Sequence, residues 1–180
     1  LNELPDRCSG IPSNTVSMLG GVGQGIQMYD GTLAFPVQLT VRNNGQNSVC
    51  ATVMYSKDDG ATWKVAEGLA PASSGEDNIV ELSPGVLFMN ARGGNARPCF
   101  ITKDMGKTWE NHEMSGKIGN GGVGCQGSST KISIDGKEIF LHSSPINNHG
   151  DYSRDSITLY ASYDWKNYDK IRVYYPPQGD

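Results

Sequence analysis

A chain of 180 residues is long enough for one domain with a sizeable core. Its 15 basic and 19 acidic residues leave a net charge of −4 with no basic run, which argues against nucleic acid or an anionic membrane as a partner. No apolar stretch approaches the roughly 18 residues of a membrane span, and nothing in the composition implies a cofactor or a metal.

Residues 1–17 read as an entering linker. The opening LNELPDRCSG has neither the basic nor the apolar region of a signal peptide, and without a starting Met the chain reads as cut from something longer. The four cysteines, Cys8, Cys50, Cys99 and Cys125, form no CxxC pair and stand at no zinc-like spacing to His112, His142 or His149. They read as buried or free thiols, although an even number also permits disulfides. The three histidines read as surface residues rather than ligands.

No helical periodicity persists over eleven residues. Short β-rich stretches broken by turns recur instead. Asp30-Gly31 separates GIQMY from TLAFPVQLTV, Pro84-Gly85 separates NIVEL from VLFMNAR, and Asp135-Gly136 separates TKISI from KEIFLHS. Asp-Gly between alternating apolar stretches predicts a hairpin, and Pro-Gly a tight turn. Each hairpin leads to a third strand (SVCATVMYS, RPCFITK, SITLYASY) and then a short fourth (TWKV, TWENH, KIRVYY). The unit is four antiparallel strands with a period of about 50 residues, as in propeller blades. The predicted fold is all-β, with about three four-stranded blades near 18–66, 76–113 and 124–176.

The turn from third to fourth strand is spelled twice in the same way: SKDDGATW at 56–63 and TKDMGKTW at 102–109. A partial third copy stands at Ser162-Tyr163-Asp164-Trp165. In this motif Asp58 and Asp104 are expected to accept turn N–H groups, and Gly60 and Gly106 to supply a positive φ. Trp63 and Trp109 are expected to bury a ring between blades, the indole N–H finding an acceptor. A device repeated in every blade is a fastener rather than an active site. Three blades do not close a ring, so further blades, from the same or another chain, are expected partners.

The motif resembles the Asp box, or BNR repeat, of the sialidase and trans-sialidase family. GEDNIVELSPGVLFMNAR (75–92) resembles the sialidase segment in which a glutamate opens an inner strand and an arginine closes the next; here these are Glu76 and Arg92. SRDSITLY (153–160) resembles the segment of a second arginine, here Arg154, and GCQGSS (124–129) the Gly-x-Gln-x-Ser segment between them, carrying Gln126. LGGVGQGIQMYDGTLAFPVQLT (19–40) resembles the corresponding blade of trypanosomal enzymes. The resemblance implies a six-bladed propeller of which this chain is an internal part. It implies an extracellular or cell-surface enzyme that cleaves or transfers terminal sialic acid from glycoconjugates by a retaining Tyr/Glu mechanism.

Arg92 and Arg154 then match two of three arginines that fork onto the substrate carboxylate, as guanidinium is suited to do. Glu76 matches the base that takes the proton of a tyrosine nucleophile, whose phenol is otherwise a weak nucleophile. Gln38 and Gln126 match sugar-contacting positions, and Tyr152 an aromatic that helps bind the acceptor galactoside. The nucleophile and the aspartate acid are not expected in this chain: RVYYPPQGD, with Tyr174 and Tyr175, resembles the approach to the nucleophile blade rather than its motif. The competing reading is a non-catalytic Asp-box propeller or a sialidase-like lectin. A scaffold alone gives no reason for Glu76, Arg92 and Arg154 to stand at strand ends in this order.

Overall fold

The computed structural model describes residues 7–71, 74–121, 123–146 and 156–174. They form three sheets and, among the described residues, no helix. The first sheet holds β1 (Cys8–Ser9), β2 (Thr15–Gly20), β3 (Ile26–Gln27), β4 (Leu33–Asn43), β5 (Gln46–Ser56) and β6 (Trp63–Val65). The second holds β7 (Gly75–Ser83), β8 (Val86–Arg92), β9 (Cys99–Thr102) and β10 (Glu110–Asn111). The third holds β11 (Ser128–Ile134), β12 (Lys137–Pro145), β13 (Ile157–Ser162) and β14 (Asp169–Tyr174). The second and third run in simple antiparallel order, and the first has the path β1-β6-β5-β4-β2 with β3 also on β4. The second and third are the four-stranded blades expected from the repeat, and the first carries six strands.

Turn chemistry sets the hairpins. Asp135 and Gly136 both have positive φ (50° and 74°), and Ile134 pairs with Lys137 across them, which is a type I′ hairpin. Asn44-Gly45 makes the same turn between β4 and β5, with φ of 50° and 80°.

The blades are joined by strands buried on both faces. In β8, Leu87, Met89 and Ala91 pack toward the first blade with Ala34, Ala51, Val53 and Ile79. Phe88 points the other way, into a core with Val80, Met114, Phe140 and Tyr160. The alternation is the two-residue period of a strand serving two neighbours at once. Phe88 meets Phe140 edge to face, centroids 5.4 Å apart at 80°, a favoured aromatic geometry.

Three features depart from the sequence reading. The first strand of the first blade is split: β2 pairs with Val37–Val41 and β3 with Leu33–Ala34. Between them the glycine-rich loop lies on β7, where Gly23 N donates to the Asp77 carbonyl at 3.1 Å. The segment read as an entering linker supplies two strands, with Cys8–Ser9 parallel to Trp63–Lys64 and β2 beginning at Thr15. His142 is not a surface residue. It is fully buried, with Nδ1 2.9 Å from Ser129 Oγ and Nε2 3.0 Å from Ser144 Oγ. It follows Leu141 in a strand whose alternate residues face the neighbouring blade, and two hydroxyls satisfy its ring. Cys8, Cys50, Cys99 and Cys125 are free thiols, and burial pushes the Cys99 thiol up to about 12.

The doubled motif is one hydrogen-bonding device built twice. Asp58 Oδ1 accepts from Thr62 N (2.8 Å), Oδ2 accepts from Thr62 Oγ1 (2.6 Å), and Ser56 Oγ accepts from Gly60 N (2.9 Å). Asp104 repeats these with Thr108 at 2.9 and 2.7 Å, and Thr102 Oγ accepts from Gly106 N at 2.9 Å. The third copy replaces the threonine by Asn167, whose N and Nδ2 both donate to Asp164. The tryptophans differ. Trp63 Nε1 donates to Gly60 O at 3.1 Å, whereas the buried Trp109 Nε1 finds no acceptor among the described residues.

Two predictions follow from the boxes. Gly60 and Gly106 share a positive φ (86° and 75°), but a Cβ at Gly106 would stand 2.7 Å from Ala66 Cβ, while at Gly60 nothing lies closer than 3.9 Å. Gly60→Ala should therefore cost about 1 kcal/mol for the backbone alone. Gly106→Ala should cost a further ~1–3 kcal/mol of overpacking, readable as unequal drops in melting temperature. The hydrogen bonds from Thr62 and Thr108 hold the Asp58 and Asp104 carboxyls down at about 2. A depressed folded pKa stabilises above the unfolded value and loses that stability as pH falls through the folded one. Stability should thus decline between about pH 4 and pH 2, and Asp104→Asn should flatten that decline in a series of melts.

Candidate active site

The site begins with a break in register. β7 pairs Gly75 with Arg92 and then Asn78 with Asn90, so Glu76 and Asp77 together face one residue of β8. This is a β-bulge, which bends a strand and re-aims its side chains. Glu76 takes a positive φ of 45°, unusual for a residue with a Cβ. Its N–H donates to Gln38 Oε1 at 2.8 Å, so a side chain of the first blade holds the strained backbone in place. The approach is close enough to require glycine next door: a Cβ on Gly75 would stand 2.4 Å from the same Gln38 oxygen.

Arg92 ends β8 and donates from Nη1 to Glu76 Oε1 at 2.6 Å. Both side chains are about one-third exposed (33% and 34%), so the pair is open to solvent where β7 begins and β8 ends. A loop of the third blade closes over the root of Arg92. Gly124, at φ 100°, lies so close that a Cβ would stand 2.1 Å from Gly93 O and 3.3 Å from Arg92 Cγ and Nε.

Beneath the open pair is a buried polar layer. Asn90, two residues before Arg92 and on the same face of β8, donates from Nδ2 to Ser129 Oγ at 2.8 Å and to Asn78 Oδ1 at 3.3 Å. Asn78 Oδ1 also accepts from Ser129 N at 2.9 Å. His142 continues the layer through Ser129, and desolvation together with the nearby Arg97 charge holds its ring well below the usual histidine range, hence neutral. Asp77, beside Glu76, is fully buried, and neither carboxylate oxygen has a hydrogen-bond partner among the described residues. Desolvation pushes its carboxyl up to about 7.

Of the residues singled out from sequence, Gln38, Glu76 and Arg92 come together as one bonded chain. Gln126 lies half-buried in the loop that covers Arg92, without a hydrogen bond to those three among the described residues. Arg154 and Tyr152 lie outside the described residues. Asp77, Asn78, Asn90 and Arg97 were not singled out, because their buried positions follow from the bulge and from the third blade's loop, which no local spacing encodes. The glycines at 75 and 124 were the available signal, since close backbone approach requires them. No group of three or more His, Cys, Asp or Glu among the described residues is placed to hold a metal ion, and no helix there is long and apolar enough to cross a membrane.

Three blades fastened by Asp boxes, with an unrepeated Glu–Arg pair where β7 begins and β8 ends, define part of a sialidase-type β-propeller. The BNR repeat-like domain family matches residues 2–173, and the chain belongs to it. A sialidase of Paraclostridium sordellii is 43% identical over 154 residues, 83% of this chain and 38% of that protein. A sialidase of Clostridium perfringens is 40% identical over 177 residues, 94% of this chain and 46% of that protein. The chain thus spans less than half the length of these curated relatives. Among solved structures, the Trypanosoma rangeli sialidase in complex with the inhibitor DANA superposes with a TM-score of 0.78 at 33% identity, over 88% of this chain and 26% of that one.

The buried acid supplies a test. A carboxyl whose folded pKa is raised loses stability for the protein as pH climbs from the unfolded value near 4 to the folded value near 7. Asp77→Asn should remove that loss. Its melting temperature relative to the wild type should rise steadily between pH 4 and 7 and level off above.

Proposed function

We propose that this chain forms the carboxylate-binding and general-base part of an exo-α-sialidase propeller, acting on terminal sialic acid of glycoconjugates outside the cell or at its surface. The observation that carries the reading is the Arg92–Glu76 pair, solvent-open where β7 begins and β8 ends and set by a bulge. Support comes from relatives named as sialidases and from the similar Trypanosoma rangeli sialidase, whose structures include one with 2,3-difluorosialic acid described as a covalent intermediate.

Arg92 presents a planar fork to the sugar's carboxylate. In this reading Arg154 adds a second guanidinium from the third blade. Glu76, already hydrogen-bonded to Arg92, takes the proton of a tyrosine nucleophile. A neutral phenol avoids the repulsion that a carboxylate nucleophile would meet from the substrate's own charge. Release of the aglycone, protonated by the aspartate acid, leaves an aryl glycoside between the tyrosine oxygen and the anomeric carbon, which water, or an acceptor sugar in a transferase, resolves with retention. The tyrosine and the aspartate acid are assigned to residues outside this chain. Gln38 keeps Glu76 aimed through its amide oxygen, and its amide N–H groups, which donate to no partner among the described residues, meet the sugar. Gln126 and Tyr152 complete the sugar and acceptor contacts.

In the intact protein, Arg92→Ala should lower kcat/KM on a fluorogenic sialoside on the order of 100-fold or more, since a charge-assisted fork is lost. Adding a galactoside acceptor to the same assay separates transfer from hydrolysis. Binding without turnover by the wild type would favour the lectin reading. Unchanged kcat/KM in the variant would sink the assignment of Arg92.

A further inference from the structure

Arg97 is the largest fully buried side chain among the described residues, with no exposed surface. Its guanidinium makes three hydrogen bonds, all to neutral groups: Nε to Gly119 O (2.6 Å), Nη1 to Asn90 Oδ1 (3.1 Å) and Nη2 to Cys125 O (2.5 Å). No carboxylate forms an ion pair with it among the described residues. A buried cation without a counter-charge is an expensive thing to keep in a fold. Desolvation brings its pKa down to about 10, which still leaves it charged at neutral pH.

The three acceptors belong to the pieces that shape Arg92. Asn90 lies on β8 two residues before Arg92, on the same face. Gly119 and Cys125 bracket the loop that lies on Arg92 through Gly124. The loop is tied from its other side as well, because Asn120 Nδ2 donates to Gly93 O and Gly94 O, both at 3.2 Å. It then passes directly over the guanidinium, where a Cβ on Gly127 would stand 2.7 Å from Arg97 Cζ. One planar group therefore clamps the strand that carries Arg92 to the loop that walls it in.

We infer that Arg97 is a positioning residue for the carboxylate-binding Arg92: it locks the 119–127 loop against the root of that side chain and so fixes the angle of its fork. The inference rests on the proposed role of Arg92. A forked pair is angularly strict, and a long side chain at a strand end meets that geometry only when packed from the side. Lysine cannot replace Arg97, because one ammonium cannot span three acceptors held in a plane.

The test compares two ligands on the intact protein: a sialic acid glycoside and its methyl ester, which keeps the sugar but lacks the negative charge. The wild type should prefer the acid. Arg97→Gln should raise KM for the acid on the order of tenfold, leave kcat nearly unchanged, and leave the weak affinity for the ester unaltered. Arg97→Lys should behave like Arg97→Gln. If Arg97→Gln does not fold, Asn120→Ala loosens the same loop without unpairing a buried charge, and it should lose the preference in the same direction. Retained acid preference in a folded variant overturns the inference, as does full rescue by lysine, which would make the charge alone responsible. An equal loss for acid and ester alongside a lower melting temperature also overturns it, since that marks a structural role only. A wild type that never prefers the acid removes the role of Arg92 itself, and the inference with it, and is distinguishable because no variant is needed to see it.

Discussion

A four-stranded blade has two faces and can hide neither by itself. That constraint organises everything else in this chain. β8 divides its alternate residues between two cores, with Met89 on one side and Phe88 on the other, so each interface exists only when the next blade is present. β7 is buried continuously from Asp77 to Leu82 for the same reason. Apolar burial is the largest favourable term available here, and it acts between repeats. Elements that hold repeats at a fixed pitch then matter more than elements that strengthen a single sheet.

The Asp boxes hold that pitch. Their hydroxyl–Asp–Gly–Thr bonds close a turn without help from neighbours, which is why the device repeats almost atom for atom at Asp58 and Asp104. The candidate site lies away from them and is built by irregularity. Glu76 sits at a bulge with a positive φ, braced by Gln38 of the preceding blade, and Arg92 is covered by a loop of the following one. Residues from three blades thus meet around one open ion pair. Polar groups beneath it are fully buried, and most are satisfied by one another, which makes the floor of the site stiff. Asp77 and Asn120 Oδ1 are the exceptions there, each lacking a partner among the described residues.

Much of this was legible in the chain itself. The strands, the hairpin turns at Pro84-Gly85 and Asp135-Gly136, and the blade period depend on local chemistry: alternation, tight-turn residues and a self-contained box. Glu76 and Arg92 were legible through the spacing of their strand ends and a family resemblance. His142 was misread as a surface residue, since a histidine in an alternating strand gives no local sign that two serines of its own sheet will enclose it. The split first strand was hidden because the glycine-rich loop 21–25 makes sense only once Asp77 offers its carbonyl to Gly23.

Local sequence determined the all-β architecture, the number of blades and the fasteners, because a turn or a box is closed by residues within about eight positions of one another. Tertiary structure alone decided that Gln38 would brace Glu76 from 38 residues away, and that Arg97 would reach Asn90, Gly119 and Cys125 at once. Those contacts follow from how blades stack and where a bulge shifts the register. No property of the participating residues, taken one stretch at a time, contains that information.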